Sequence, residues 1–386
     1  MIPYGRQSIS QADIDAVVDV LKSDFLTQGP AIDRFETAVA NACEIDHAVA
    51  FNSATSALHI GCLALGVGAG DLVWTSPISF VASSNCALYC GADIDFVDID
   101  PATFNMSVSA LAAKLKDAKA QGRLPKLVIP VHLAGQPCDM AGISALSREY
   151  GFAVMEDASH AIGGRYQGQP IGNCEHSDIT VFSFHPVKIV TSAEGGMATT
   201  RDPKIAGKLQ RLRTHGITRD PELMTHAPDG GWYYQQIELG YNYRMTDLQA
   251  ALGASQMTRV HEFVAKRHEV ASRYDEALAA LNLPIKTPFQ HADSYSGYHL
   301  YIIQLTEAAN ISHLDAFTAL RENGIGVNLH YIPIHTQPYY QGLGFKPGDF
   351  PVAEDYYSRS ISIPLFHAMS DEQHDTVIEV LQKVFG

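Results

Sequence analysis

The chain has little positive charge. Its 27 lysines and arginines face 42 aspartates and glutamates, giving a net charge of -15. Phosphate backbones and anionic lipid surfaces demand a basic face, so this balance argues against a nucleic-acid or anionic-membrane partner. A small phosphorylated ligand would have to be held by local dipoles and a few chosen cations. Cysteine is also scarce. Cys43, Cys62, Cys86, Cys90, Cys138 and Cys174 are dispersed through apolar segments and read as reduced, buried small hydrophobes. Cys86 and Cys90 lie four apart in an expected helix, but no second pair completes a zinc set, so no metal site is expected. No apolar run reaches the ~18 residues of a membrane span. MIPYGRQSIS lacks the basic start and apolar stretch of a secretory signal,. A cytoplasmic protein without a membrane partner is therefore expected. Internal repeats and low-complexity tracts are missing as well.

What is present is the composition of an ordinary globular protein, 46% hydrophobic and 18% charged,. At 386 residues the chain exceeds the usual single core, so two lobes are expected. From about residue 47 to 200 short β-rich runs alternate with helical stretches: HAVAF, DLVWTSP, DIDFVDI, KLVIPVHLAG, FAVMEDA and DITVFSF are the strand candidates. That alternation predicts an α/β fold with a mainly parallel sheet covered on both faces, and ligands in such sheets sit beyond the carboxyl ends of the strands. After Gly240 the pattern changes. MTDLQAALGASQMTRVHEFVAKRHEVASRYDEALAAL supports one long helix, followed by strands at YHLYIIQL, VNLHY and SISIPL,. A last helix opens at Ser370 with Gln373 three residues on, a capping-box pattern,. We expect a large domain over 13–245 and a smaller α+β domain over 246–386, with residues 1–12 packed on the latter.

Four stretches bear on chemistry. GVGAG (66–70) hints at a dinucleotide fingerprint, but Asp71 stands where the third glycine belongs and the run follows a helix, so a helix-ending turn is the reading,. NSATSAL (52–58) follows a strand and opens a helix. Free N–H groups there suit a phosphate, and simple capping by Ser53 or Thr55 is the plainer alternative. MEDASHAIG (155–163) puts Asp157 beside Glu156 at a strand end with His160 just beyond; a helix-capping Asp is its ordinary role. In SFHPVKIVTSAEGG (183–196) Ser183 ends a strand, Lys188 follows five residues later, and Gly195-Gly196 permits a tight return,. A lone lysine usually lies on the surface. A phosphate cradle, a carboxylate and a lysine at successive strand ends are, however, the parts that pyridoxal 5'-phosphate requires.

The ordered set NSATSAL, MEDASHAIG, SFHPVKIVTSAEGG and GYNYRMTDLQAALG (240–253) resembles the DegT/DnrJ/EryC1/StrS family, fold-type-I sugar aminotransferases dependent on pyridoxal phosphate. The resemblance runs from LTQGP (26–30) to HYIPIHTQPYY (330–340). It implies a cofactor-bearing Lys188 and a pyridine-nitrogen partner in Asp157. Thr55, Ser56 and Ser183 would hold the phosphate, Phe80 would stack on the ring, and Asn242 would reach the phosphate from a neighbouring subunit. It thereby implies a homodimer with shared active sites. FLTQGP, FNSATSAL, DASHAIG, SFHPVK and HYIPIHTQPYY resemble most the branch that aminates a UDP-linked 4-keto-6-deoxy-β-L-AltNAc for pseudaminic acid with L-glutamate as donor; His160 departs from the wider family, where glutamine is common, and is compatible with that branch. Gln28, Arg213, His215, Arg244, His330 and Tyr331 are the substrate candidates, although Arg213 and Arg244 suit structural ion pairs equally. His330 and His335 do not suit a metal at their spacing, and no HExxH occurs,. Three rivals remain: a transaminase of another nucleotide-linked 4-keto or 3-keto deoxysugar, a sugar 3-dehydratase, and a non-catalytic regulator on the same fold. The dehydratase carries histidine at the lysine position, so Lys188 weighs against it.

Overall fold

Runs of small and β-branched apolar residues pair into strands that are buried on both faces. In the computed structural model, which describes residues 1–386, they are β1 (His47–Phe51), β2 (Leu72–Thr75), β3 (Asp93–Phe96), β4 (Leu127–Ile129), β5 (Ala153–Asp157), β6 (Ile179–Ser183) and β7 (Gly196–Thr200). Their order in the sheet is β1-β7-β6-β5-β4-β2-β3. β2 pairs in parallel with β3 and β4, and β5 with β4 and β6. Only β7 runs the other way, antiparallel to both β1 and β6. The fold is α/β with a mainly parallel sheet, as the alternating pattern predicts.

Alternate residues of each strand feed two cores. Ala48 and Ala50 of β1 and Phe182 of β6 join one with Phe35, Leu111 and Ile143; Val49, Phe51 and Val181 join the other with Leu58, Cys86 and Leu209. The first core is closed by the helices Pro30–Cys43, Val108–Ala120 and Met140–Tyr150. The second is closed by Ala54–Ala64, Ala82–Tyr89 and Pro203–Leu212. A third core contains Tyr274, Leu278, Tyr301, Ile303, Leu320, Ile361, Ile363 and Leu381. It packs on a three-stranded antiparallel sheet of Ile285–Lys286, Tyr301–Leu305 and Ser360–Ile363. The N-terminal segment joins this part of the chain, since Ile2 donates to the Gly324 carbonyl at 2.8 Å and accepts from the Gly326 N–H at 2.6 Å.

The expected long helix after Gly240 is two helices, Asp247–Met257 and Val260–Leu281. The chain turns between them because Thr258 donates its hydroxyl to the Ser255 carbonyl at 2.6 Å. Arg259, at φ -115 and ψ 9, reaches back to Asp13 at 2.6 Å. A side-chain hydroxyl that bonds a preceding carbonyl competes with the helical ladder, and periodicity alone does not register that competition. VNLHY forms no strand and contributes one bridge, Asn328 to Ser362. The capping box of Ser370 and Gln373 is formed, and the cysteines are all free.

The second of the two helices passes from one core to another. Val260, Phe263 and Val264 lie in the first core, whereas Val270, Ala271, Tyr274 and Leu278 lie in the third. Between them Arg267 is 2% exposed and has no carboxylate partner. Its Nη1 donates to the carbonyls of Tyr298, His299 and Leu365 at 3.1–3.2 Å. Its Nε has no partner, so the three carbonyls offset only part of the cost of burying the guanidinium.

Gly196 is where the antiparallel strand meets the first turn of the Ala54–Ala64 helix. A Cβ there would lie 2.4 Å from the Ser53 carbonyl oxygen and 2.5 Å from the Ala54 nitrogen, both backbone atoms that cannot swing aside. Gly196→Ala is expected to lower stability by about 1–3 kcal/mol, the usual range for overpacking. A reduced denaturant midpoint with an unchanged m value would register it.

Candidate active site

Beyond the carboxyl ends of β5 and β6 the chain encloses a cavity of about 600 Å³. Ser53, Ala54 and Thr55 line it from the start of the Ala54–Ala64 helix, Asp157 and His160 from the end of β5, and Ser183 and Lys188 from the end of β6. Phe80, His330 and Tyr331 complete the sequence-predicted residues on its wall. The sheet order explains this meeting. β5 and β6 are parallel neighbours, so their ends emerge side by side, and β7 returns the chain from Gly196 beside both Ser183 and Phe51.

The helix start is built for an anion. The Ser53 hydroxyl accepts from the Ser56 N–H at 3.1 Å and so caps the helix, while the N–H groups of Ala54 and Thr55 have no partner within the helix. Ser56 is buried and turned elsewhere; its hydroxyl donates to Asn52 Oδ1 at 2.6 Å, and it is not part of the cavity wall. Asp157 is 5% exposed and held by hydroxyls. Ser83 donates to Oδ2 at 2.5 Å and Ser159 to Oδ1 at 2.6 Å.

Lys188 is half-buried. Burial pushes its titration down to about 8 against the opposing pull of the Asp157 charge. Three imidazoles share its surroundings, and burial first, then the lysine, keeps each of them neutral: His160 and His299 titrate well below the usual range and His330 falls to about 3. His160 Nδ1 accepts from the Ala134 N–H at 3.2 Å, so its proton sits on Nε2, which faces the Tyr331 hydroxyl at 3.1 Å,.

Other candidates lie elsewhere. Gln28, Arg213 and Arg244 line a second depression of about 410 Å³. Arg213 Nη1 is committed there to Glu36 and to the Ala50 carbonyl, both at 2.6 Å, the structural pairing that its sequence context left open. Arg244 Nε is buried without a partner. Asn242 and His215 are exposed and line neither cavity. His335 is buried against Glu354 at 2.9 Å. Sequence reasoning missed Tyr4, Ser79, His185, Glu194 and His299 on the main wall, and Ser83 behind Asp157. The hydroxyls in PISFVASS, a loop opening a helix, were a usable signal for Ser79 and Ser83. His299 gave none, because it enters from the amino end of Tyr301–Leu305, where the strand-end rule does not look.

A helix start with free N–H groups, a buried carboxylate held by two serines and a lysine with lowered basicity, set around one cavity, fit the phosphate, the ring nitrogen and the aldehyde of pyridoxal phosphate. Residues 7–382 match the model of the DegT/DnrJ/EryC1/StrS aminotransferase family. The chain belongs to that family. It is a pyridoxal-phosphate-dependent sugar aminotransferase of fold type I. It is 39% identical over 386 residues to the spore coat polysaccharide biosynthesis protein SpsC of Bacillus subtilis, covering 99% of this chain and 97% of that one. It is similar in structure to Helicobacter pylori PseC, an aminotransferase involved in the biosynthesis of pseudoaminic acid, with a TM-score of 0.90, 29% identity and coverage of 100% and 99%. Spr1654 of Streptococcus pneumoniae in its PLP form superposes with a TM-score of 0.88 at 31% identity, covering 99% and 98%. No helix is long and apolar enough to cross a membrane.

In the cofactor-free protein, Lys188 is expected to pass from ammonium to amine near pH 8. Its modification by an amine-directed reagent, followed by peptide mass spectrometry, should rise between about pH 7 and 9 and then level off. A rate still climbing beyond about pH 10 would show an ordinary lysine.

Proposed function

We propose that this enzyme transfers an amino group from L-glutamate to the C4 ketone of UDP-4-keto-6-deoxy-β-L-AltNAc. The product would be UDP-4-amino-4,6-dideoxy-β-L-AltNAc, for pseudaminic acid biosynthesis. The observation that carries the reading is the cavity in which Lys188, Asp157 and the start of the Ala54–Ala64 helix converge. The likeness to PseC and the histidine at position 160 favour this sugar.

Pyridoxal phosphate, when bound, supplies an aldehyde that takes up the amino group and a cationic ring that accepts electron density from the donor's α-carbon. The chain supplies the rest. Ala54, Thr55 and Ser183 bind the phosphate. Asp157, fixed by Ser83 and Ser159, holds the proton on the ring nitrogen, and Phe80 covers the ring. Lys188 would hold the cofactor through its aldehyde carbon. When free, its Nζ would move protons at the α-carbon of glutamate and at C4 of the sugar, work suited to an amine of lowered basicity. His330 and Tyr331 face the sugar. The second depression, with Gln28 and the unpaired Arg244, suits a carboxylate or diphosphate, and exposed His215 is a candidate for its outer edge.

The same reading includes a homodimer in which Asn242 of one subunit reaches the phosphate in the other. Exposure supports it: Trp232 and Leu239, on the segment leading to Asn242, are 75% and 78% exposed, which suits a covered face. The greater identity to SpsC favours a second reading, a transaminase of another nucleotide-linked 4-keto or 3-keto deoxysugar.

Lys188→Ala should keep the fold by circular dichroism, lose the near-visible absorbance of the lysine-bound cofactor, and lose turnover by more than about 10³-fold. Normal activity would remove Lys188 from its role. Glutamate-dependent amination of a panel of UDP- and TDP-linked keto sugars tests the substrate. Success with the UDP-linked altrosamine precursor supports the first reading, and failure there with success on a TDP sugar selects the second.

A further inference from the structure

The amino group of Lys188 has one side-chain hydrogen-bond partner, His299, whose Nε2 lies 3.5 Å from Nζ. His299 is 3% exposed. Its other ring nitrogen, Nδ1, is buried and bonded to nothing. No carboxylate touches the ring, so it is not part of a charge relay of the Asp–His kind. The ring instead packs on His160 with centroids 4.4 Å apart, and its own carbonyl accepts from Arg267 at 3.2 Å. The lysine ammonium has only N–H donors and no lone pair, and a neutral imidazole offers one lone pair. The bond therefore runs from Nζ to Nε2, the imidazole proton rests on Nδ1, and that donor stays unmet. A fold that leaves a buried donor unmet sacrifices stability. Here the sacrifice lets the acceptor face the lysine.

Position matters as much as chemistry. His299 stands just before Tyr301–Leu305, a strand of the third core, while Lys188 follows β6 of the large sheet. The contact thus joins the two main bodies of the chain at the cavity wall. We propose that His299 is a positioning residue for Lys188, holding its amino group against the small-domain wall whenever that group is not bonded to the cofactor. This rests on the cofactor-bearing role given to Lys188 above. The surrounding titratable and charged groups are His160, His330, Tyr331, Asp157 and Arg267. Burial, Lys188, His160, Arg267 and His330 all keep His299 uncharged, so it accepts without competing for the proton that Lys188 moves.

The decisive comparison uses the cofactor-free protein, with His299→Phe removing the acceptor and His299→Gln restoring one. A charge-assisted bond favours the ammonium. Its loss in His299→Phe should lower the pH midpoint of Lys188 modification by about half to one unit, making about three- to fivefold more amine available at pH 7. His299→Gln should return the midpoint to the wild-type value. In the loaded enzyme His299→Phe should reduce kcat roughly tenfold with the KM for glutamate nearly unchanged, and His299→Gln should recover most of it. If His299→Phe fails to fold, His299→Asn, too short to reach Nζ, takes its place. A midpoint and kcat equal to wild type in the acceptor-free variant overturn the proposal, as does loss of both in His299→Gln. Lys188→Ala separates the two levels. If it retains the cofactor absorbance, the function reading fails; if it loses it while the His299→Phe midpoint stays at wild type, only the role of His299 fails.

Discussion

The site depends on a backbone contact that admits no side chain. Gly196 lies against the Ser53 carbonyl and the Ala54 nitrogen so closely that a single carbon atom would collide with both. That contact fixes the spacing between the segment that carries Lys188 and the helix that presents free N–H groups. It also explains why β7 is the one antiparallel strand. Only a strand entering from the cavity end can hold β1 and β6 together while leaving its first residue at the helix start. Displacement there would move the anion site relative to the amine, and both must reach one molecule.

Around that frame the electrostatics follow from burial. Lys188 shares its cavity with Asp157, Glu194 and four imidazoles, and desolvation suppresses charge on three of those rings, His160, His299 and His330. The Asp157 carboxylate is stabilised by hydroxyls rather than by a cation, which leaves the cations free for a ligand. The acidic chain thus concentrates its few useful positive centres: a helix start, a lysine of lowered basicity, and an arginine with an unpaired nitrogen beside the second depression. Arg213, by contrast, is consumed by Glu36 and by the end of β1.

The central sheet was legible in the sequence because most of its strands are short apolar runs, and those lining the site end in polar residues that have no packing role. Asp157, Ser183 and Lys188 stood out at those ends, and the sheet brings them together. Phe80, His330 and Tyr331 also reach the cavity, though only the family resemblance or a loop context pointed to them. What stayed hidden depends on tertiary placement. Ser56 occupies the right turn but rotates onto Asn52, a choice of rotamer that no motif encodes. His299 sits among aromatic residues at the wrong end of a strand, and its value comes from a neighbour 111 positions away. The break before Val260 was masked because the apolar periodicity continues across it, while Thr258 bonds back to the Ser255 carbonyl and Arg259 reaches Asp13, a residue far off in the sequence.

The helix that passes between cores has a mechanical meaning. Arg267, midway along it, bonds the carbonyls of Tyr298, His299 and Leu365, all in the part of the chain that holds the third core, and so pins the helix to that core. Its first turns, through Val260, Phe263 and Val264, are seated in the first core instead, so one unbroken helix is gripped at both ends and its length sets the spacing between the two cores.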